Sequence, residues 1–269
     1  MTRLSYKYGA PLGSRANLGV IVLRTDETLE YEFRMMMPAD GVALYTTRIP
    51  CETEVTPEAL GHMEAALAGS AAMLPHSLNY DVIAYACTSA ATIIGPQRVA
   101  EKIRLGAKTL FVTDPLTAVL AACGILGVQR LGFLSPYVPA VSAKMRARLE
   151  EDGRHIASFA SFEEESDENI ARIDPASIRD AALHVGSRGD CDAVFMSCTY
   201  LRAASLIPEL EATLGIPVLT SNQALAWHML SLSGISTLGI PFGHVMDSVG
   251  AEPNATLGAN DPLSGGQDT

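Results

Sequence analysis

Along the chain, short runs rich in β-branched and aromatic residues alternate with longer segments whose apolar residues recur at helical spacing. The runs are LGVIVLR (18–24), VALYTTRI (42–49), DVIAYA (81–86), KTLFVT (108–113), RLGFLS (130–135), HIASFA (155–160), DAVFMS (192–197) and IPVLTS (216–221). Near-continuous apolar runs of this length read as buried strands. Between them lie TPEALGHMEAALAGSAAML, PAVSAKMRARLEED and DPASIRDAALHVG, each with Pro near its start, where a missing N–H costs a helix nothing. Thr56 is placed to cap the first of these. Strands alternating with helices predict parallel sheets built from right-handed βαβ units.

The pattern also repeats. Asp81 to Cys87 and Asp192 to Cys198 are both Asp, strand, Cys, Thr. GAKTLFVT from Gly106 parallels GIPVLTS from Gly215, and LGVIVL from Leu18 parallels LGFLSP from Leu131. The offsets are all roughly 110 residues and the order is the same, as in a duplicated unit. The expectation is an α/β fold of two pseudo-symmetric lobes, each a parallel sheet flanked by helices, with the active site in the cleft between them. The first lobe takes residues 1–114 with 221–269 and the second 115–220. On this reading NQALAWHMLSLSG packs back on the first lobe, and the tail GAEPNATLGANDPLSGGQDT, rich in Gly, Pro, Asn and Asp, is irregular.

Composition narrows the function. The chain has 269 residues and 48% hydrophobic positions, enough for a large core. A net charge of −11 without a Lys/Arg cluster argues against a nucleic-acid partner. No apolar run has the length of a membrane span, and the first residues lack a signal peptide's apolar block. Five cysteines (51, 87, 123, 191 and 198) in a chain of this size point to free thiols and a cytoplasmic setting. The six histidines show no metal-ligand spacing, so no metal is expected. EEESDE (163–168) reads as a solvated loop or helix entry.

Ligands of parallel α/β sheets bind at the carboxyl ends of strands. Cys87 and Cys198 both follow such ends, where a beginning helix would favour thiolate. Thr88 and Ser89 then open an anion-binding turn. Two sulfurs facing one cleft suit chemistry at a carbon beside a carboxylate, one as base or nucleophile and the other as acid. The alternative is a pair of ordinary core cysteines. Cys123, inside AVLAACGIL, reads as core; Cys51 and Cys191 flank strands at the wrong ends and read as structural.

With these residues in view, the chain resembles the aspartate/glutamate racemase superfamily, in the branch of maleate cis–trans isomerases, arylmalonate decarboxylases and the ectoine-utilisation protein A group. The resemblance runs from about Leu18 to Met246. DVIAYAC resembles the first cysteine segment of the isomerases, and TSAA after Cys87 is similar to the Gly-Thr-Ser turn of the decarboxylase. FMSCTYLRAASLIPELEATLGIPVLTSNQALAW is similar to the second cysteine segment of both groups, and LGFLSPY to a family strand ending in tyrosine, here Tyr137. The resemblance implies a cofactor-independent enzyme of a small carboxylate, with Cys87 as nucleophile or base and Cys198 as acid or opposite base. Thr88, Ser89, Tyr137 and Thr199 would bond a substrate carboxylate. A homo-oligomer is implied in the same way.

One position departs from the family pattern. The isomerases carry Pro-Ser-x-Asn after their first strand, the Asn amide donating to a substrate carboxylate; this chain reads LRTDET, with Asp26 in that place. An ionised Asp cannot donate, which points to a substrate with an amine or hydroxyl there, an amino acid or an ectoine-derived compound, unless Arg24 grips the carboxylate with Asp26 as its partner. A second family asparagine corresponds to Asn169 or Asp167. Arg48 could touch substrate or form a surface ion pair. The arylmalonate decarboxylase has Gly at the first cysteine, so Cys87 disfavours decarboxylation by that route. A C–C lyase and a non-catalytic ligand-binding relative remain the alternatives.

Overall fold

The computed structural model describes residues 2–51, 57–188 and 190–248. All eight expected strands form: β1 Ala16–Leu23, β2 Val42–Ile49, β3 Tyr80–Ala86, β4 Thr109–Thr113, β5 Arg130–Ser135, β6 His155–Ser161, β7 Ala193–Met196 and β8 Val218–Thr220. They build two four-stranded sheets, ordered β2-β1-β3-β4 and β6-β5-β7-β8, with every neighbouring pair parallel. The second order is the first displaced by four strands, which is the duplication expressed as topology. The inner strands β1, β3, β5 and β7 are covered on both faces and so are apolar almost throughout, whereas β2 and β6 at the edges are half-buried.

The repeated aspartates have a structural reason. Asp81 Oδ2 accepts the Asn17 N–H at 2.8 Å, and Asp192 Oδ2 accepts the Gln129 and Arg130 N–H groups at 3.0 and 2.8 Å. In each half the carboxylate ties the amino end of one inner strand to that of the other.

The helices are α1 Leu29–Met36, α2 Pro57–Ala72, α3 Thr88–Ile94, α4 Pro96–Gly106, α5 Pro115–Ile125, α6 Pro139–Glu151, α7 Asp167–Ile170, α8 Pro175–Gly186, α9 Ile207–Leu214, α10 Ser221–Leu232 and α11 His244–Asp247, with a 3-10 turn at Ala204–Leu206. Asp114 caps α5 through the Leu116 and Thr117 N–H groups, and Asp174 caps α8 through those of Ala176 and Ser177. A capping box of Thr220 and Gln223 starts α10. Helix α10 follows the last strand of the second sheet, yet it packs on α1, α5, β3 and β4. Trp227, Leu225 and Met229 of α10 are fully buried there. Thr56 and the tail 249–269 lie outside the described residues. Among the described residues no helix is long and apolar enough to cross a membrane.

Candidate active site

The chain leaves β3 at Ala86, and Cys87 follows as the N-cap of α3, in extended conformation (φ −142°, ψ 110°). Its thiol is 5% exposed and lies 3.7 Å from the Ser89 hydroxyl. Burial pushes it up to about 12, against the pull of the Ala90 N–H and Ser89. Cys198 comes two residues after the end of β7 and has φ +112°, in a region that non-glycine residues adopt only under constraint. The Tyr200 N–H donates to its sulfur at 3.4 Å, and the thiol is 2% exposed. Burial raises it too, against the Tyr137 hydroxyl and the Tyr200 N–H. All five cysteines are free.

Two expectations are corrected here. Cys198 does not begin a helix: a turn and the 3-10 segment intervene before α9 starts at Ile207. Nor is either thiol held as thiolate, because loss of hydration outweighs the few N–H groups that face each sulfur. The shared Asp-strand-Cys-Thr pattern therefore ends in two different backbone conformations.

The two cysteines nonetheless share their surroundings. Ser221 Oγ, at the first residue of α10, accepts both the Thr88 hydroxyl and the Cys198 N–H, each at 3.0 Å. The Thr88 hydroxyl hydrogen is thus committed to Ser221. Tyr137, buried at the end of the Ser135–Tyr137 turn, has its hydroxyl raised well above its ordinary range by burial, and ionisation of Cys198 or Cys87 would raise it further. Asp167 acts on Cys87, Cys198, Tyr137 and Tyr200 alike. Burial pushes Asp167 up to about 6, against a hydrogen bond from Tyr200 and with added repulsion from Asp26.

Asp26 is 5% exposed; its Oδ1 accepts the Thr28 and Leu29 N–H groups, both at 2.8 Å, while its Oδ2 is buried without a hydrogen-bond partner. Burial raises this carboxyl, against the Leu29 and Thr28 N–H groups, the Thr199 hydroxyl, which lies near it without completing a well-formed hydrogen bond, and the charge of Arg48. Arg48 grips the loop from outside, donating to the carbonyls of Leu23, Arg24 and Asp26 at 3.1, 3.2 and 3.0 Å and pairing with Glu30. Its guanidinium is committed to the backbone.

Not every candidate enters the group. Arg24 is exposed: the Asp26 N–H bonds back to the Leu23 carbonyl at 3.0 Å, and this tight turn leaves the Arg24 side chain outside. Asn169 is also exposed, and its N–H bonds Ser166. Two residues along a helix differ in direction by about 200°, so with Asp167 turned inward Asn169 must face water. Cys51 is not at the wrong end of a strand; it follows the carboxyl end of β2 and lies 3.3 Å from the Thr25 hydroxyl.

Sequence reasoning missed Tyr200, Thr25, Ser221, Glu32 and Asn222. Thr25 Oγ1 meets the Tyr200 hydroxyl at 2.6 Å, and Glu32 and Asn222 bond each other at 2.8 Å behind the Cys198 turn. The available signals were positional: Tyr200 is two residues past Cys198, and Ser221–Asn222 close the repeated β8 segment. Elsewhere, a recess of about 260 Å³ at the amino ends of β3 and β4 is lined by Leu74, Leu78, Tyr80, Arg104 and Lys108 among others. No thiol or carboxylate lines it, and it sits at the wrong end of the sheet for this chemistry. Among the described residues no group of three His, Cys, Asp or Glu side chains is arranged to hold a metal.

The family model for arylmalonate decarboxylase matches residues 67–245. Over 224 residues the chain is 26% identical to a maleate isomerase of Nocardia farcinica (strain IFM 10152), spanning 79% of this chain and 88% of that protein. Over 137 residues it is 31% identical to the arylmalonate decarboxylase of Bordetella bronchiseptica, spanning 50% and 57%. The maleate isomerase Iso from Pseudomonas putida S16 superposes with a TM-score of 0.77 at 20% identity, covering 87% of this chain and 99% of that one. A cysteine-to-serine mutant of the Nocardia farcinica maleate cis-trans isomerase, with a covalently bound succinylcysteine intermediate, superposes at 0.74 with 23% identity, covering 86% and 98%.

Proposed function

Because the chain belongs to the arylmalonate decarboxylase family, in the superfamily branch that includes the maleate isomerases, we propose that it is a cofactor-independent isomerase of a small carboxylic acid that carries an ammonium group. Cys87 and Cys198 are its acid–base pair. The observation that carries this reading is the shared enclosure of the two thiols: Ser221 bridges their segments, and Asp167 and Tyr137 act on both.

Cys87 is assigned as the base because it caps α3, where the Ala90 N–H and the Ser89 hydroxyl face its sulfur and stand ready for the thiolate. Ionising it at neutral pH still costs about 7 kcal/mol from a value near 12. A cation about 4 Å away returns about 4 kcal/mol at an effective dielectric of 20. Among the described residues no such cation faces the thiols, since Arg48 is bound to carbonyls and Arg24 is exposed, whereas Asp26 and Asp167 supply two acids. A substrate ammonium beside Asp26 Oδ2 would satisfy that oxygen, and its charge would favour the Cys87 thiolate the more the nearer it lies. A dianion such as maleate would raise both thiols.

On this reading Cys87 takes the α-proton from one face, the carbanion's charge spreads into the carboxyl held by Ser89 and Tyr137, and the Cys198 thiol returns a proton from the other face. Such enclosure protects the carbanion from water. The exposed Arg172–Glu27 pair at 3.3 Å links the segment that carries Asp167 to the loop that carries Asp26.

The deciding experiment is incubation in deuterated water with a panel of α-amino acids and with maleate. Deuterium at the α-carbon, lost in both Cys87→Ser and Cys198→Ser, supports the proposal. A stable succinyl mass on Cys87 from maleate, with no exchange on any amino acid, would replace it by double-bond isomerisation through a covalent adduct. Exchange that survives both substitutions would end the two-thiol account, and thiols inert toward every acid would favour a ligand-binding relative.

A further inference from the structure

The turn that carries Cys198 is held by the half of the molecule that carries Cys87. Glu32, on α1, is 2% exposed, and its Oε1 accepts the N–H groups of Ala203 and Ala204, both at 2.9 Å. Its Oε2 accepts Asn222 Nδ2 at 2.8 Å, and the same nitrogen donates to the Thr199 carbonyl at 2.8 Å. Thr28, also ahead of α1, donates to the Tyr200 carbonyl at 2.9 Å. The segment 199–204 is thus fixed from one side by residues 28 and 32. A non-glycine residue at φ +112° persists only where its surroundings over-determine it.

We propose that Glu32 is a positioning residue for Cys198: its ionised carboxylate clamps the 199–204 turn and so holds the second thiol in its strained place beside Tyr137. The functional weight of this inference rests on the acid role proposed for Cys198, but the clamp itself does not.

Chemistry explains why a carboxylate stands there. Every partner of its two oxygens is an N–H donor. An amide at position 32 would turn its own NH₂ toward Asn222 or toward the Ala203 and Ala204 N–H groups. Asn222 could flip, since its Oδ1 has no partner, but would then set that oxygen against the Thr199 carbonyl. A proton on Glu32 creates the same conflict. Burial pushes this carboxyl up to about 7, against its three hydrogen bonds and with repulsion from Asp26. The other titratable groups near the clamp are Cys198, Tyr200 and Arg202 on the turn, Asp167 through its bond to Tyr200, and His228 on α10, which is bonded to Thr113.

The test is site-resolved alkylation of the full chain by iodoacetamide, read by peptide mass spectrometry. Cys87 serves as the internal reference, and the fully buried Cys123 of α5 reports global opening. Glu32→Gln should raise the Cys198:Cys87 rate ratio about tenfold with Cys123 still protected, and Glu32→Asp should restore part of it. In wild type the ratio should rise as pH falls from about 8 to about 6; in Glu32→Gln it should stay flat. Asp167→Asn should leave the wild-type pH response in place, assigning it to Glu32. An unchanged ratio in Glu32→Gln, or all three thiols opening together, overturns the clamp. Should Glu32→Gln fail to fold, a flat wild-type ratio over that pH range overturns it and a rising one supports it. Full deuterium exchange in Cys198→Ser would sink the catalytic reading while leaving the alkylation result intact.

Discussion

Asp26 closes its own loop with one oxygen and keeps the other for a partner outside the chain's own hydrogen bonds. That division makes its substitution informative. Asp26→Asn can keep Oδ1 on the Thr28 and Leu29 N–H groups, so stability should change by less than about 1 kcal/mol, while Nδ2 replaces a free acceptor with a donor. Asp26→Asn/Asp167→Asn should lose binding of ammonium-bearing acids and gain about tenfold in binding of maleate, measured by calorimetric titration. An unaltered preference would remove the argument for an ammonium. Binding should also weaken as pH falls through about 6, because the raised Asp167 carboxyl takes up its proton there and no longer attracts a cation. At this scale the sequence was legible where a residue follows directly on the carboxyl end of a strand: Cys87, Thr88 and Ser89 after β3 and Tyr137 after β5 are all buried there. Arg24 sits in a tight turn that no strand or helix period describes, and Asn169 lies in the four-residue helix α7, where two residues of rotation separate the inward Asp167 from water.

Prolines account for the way the two cysteine segments diverge. After Cys87 no proline appears until Pro96, so α3 begins at once with Thr88. Downstream of Cys198, Pro208 falls in the first turn of α9, which sets that helix's start at Ile207 and leaves 198–206 to turn and 3-10 structure. The repeat therefore foretold the strands and their order but not the second helix start, since one proline outweighs the matched Cys-Thr. The repeated aspartates behave in the opposite way and keep one role in both halves. Asp81→Ala and Asp192→Ala should each cost about 1 kcal/mol in denaturant unfolding. The two losses should add in the double variant, because the carboxylates belong to separate sheets. A markedly unequal pair would mean that the match is only one of sequence.

Across the whole molecule, the bonds that join the halves link residues far apart in the chain, such as Glu32 with Ala203 at a separation of 171 residues. Periodicity shows each half but not these links, which is why Glu32 escaped sequence reasoning. Their chemistry sets how stability varies with pH. Glu32 is raised from 4.5 to about 7 and Asp167 from 3.8 to about 6, so over those ranges the folded chain holds protons that the unfolded chain has released. Their contribution to stability is complete at low pH and is lost as pH rises through the folded values. His228, bonded to Thr113 at 2.8 Å, works the other way: burial lowers it from 6.5 to about 4, so acidification through that range favours the unfolded chain. Two carboxyls oppose one imidazole between about pH 4.5 and 6, and Glu32 acts alone from about 6.5 to 7. The melting temperature should therefore climb as pH falls from about 7 to 6.5, level off to about 6, and climb again at a similar slope toward about 4.5. His228→Gln should steepen the lower part, and Glu32→Gln should flatten the step near 7. A wild-type melting temperature that rises steadily from about pH 5 to 8 would contradict the raised titration that burial gives both carboxyls.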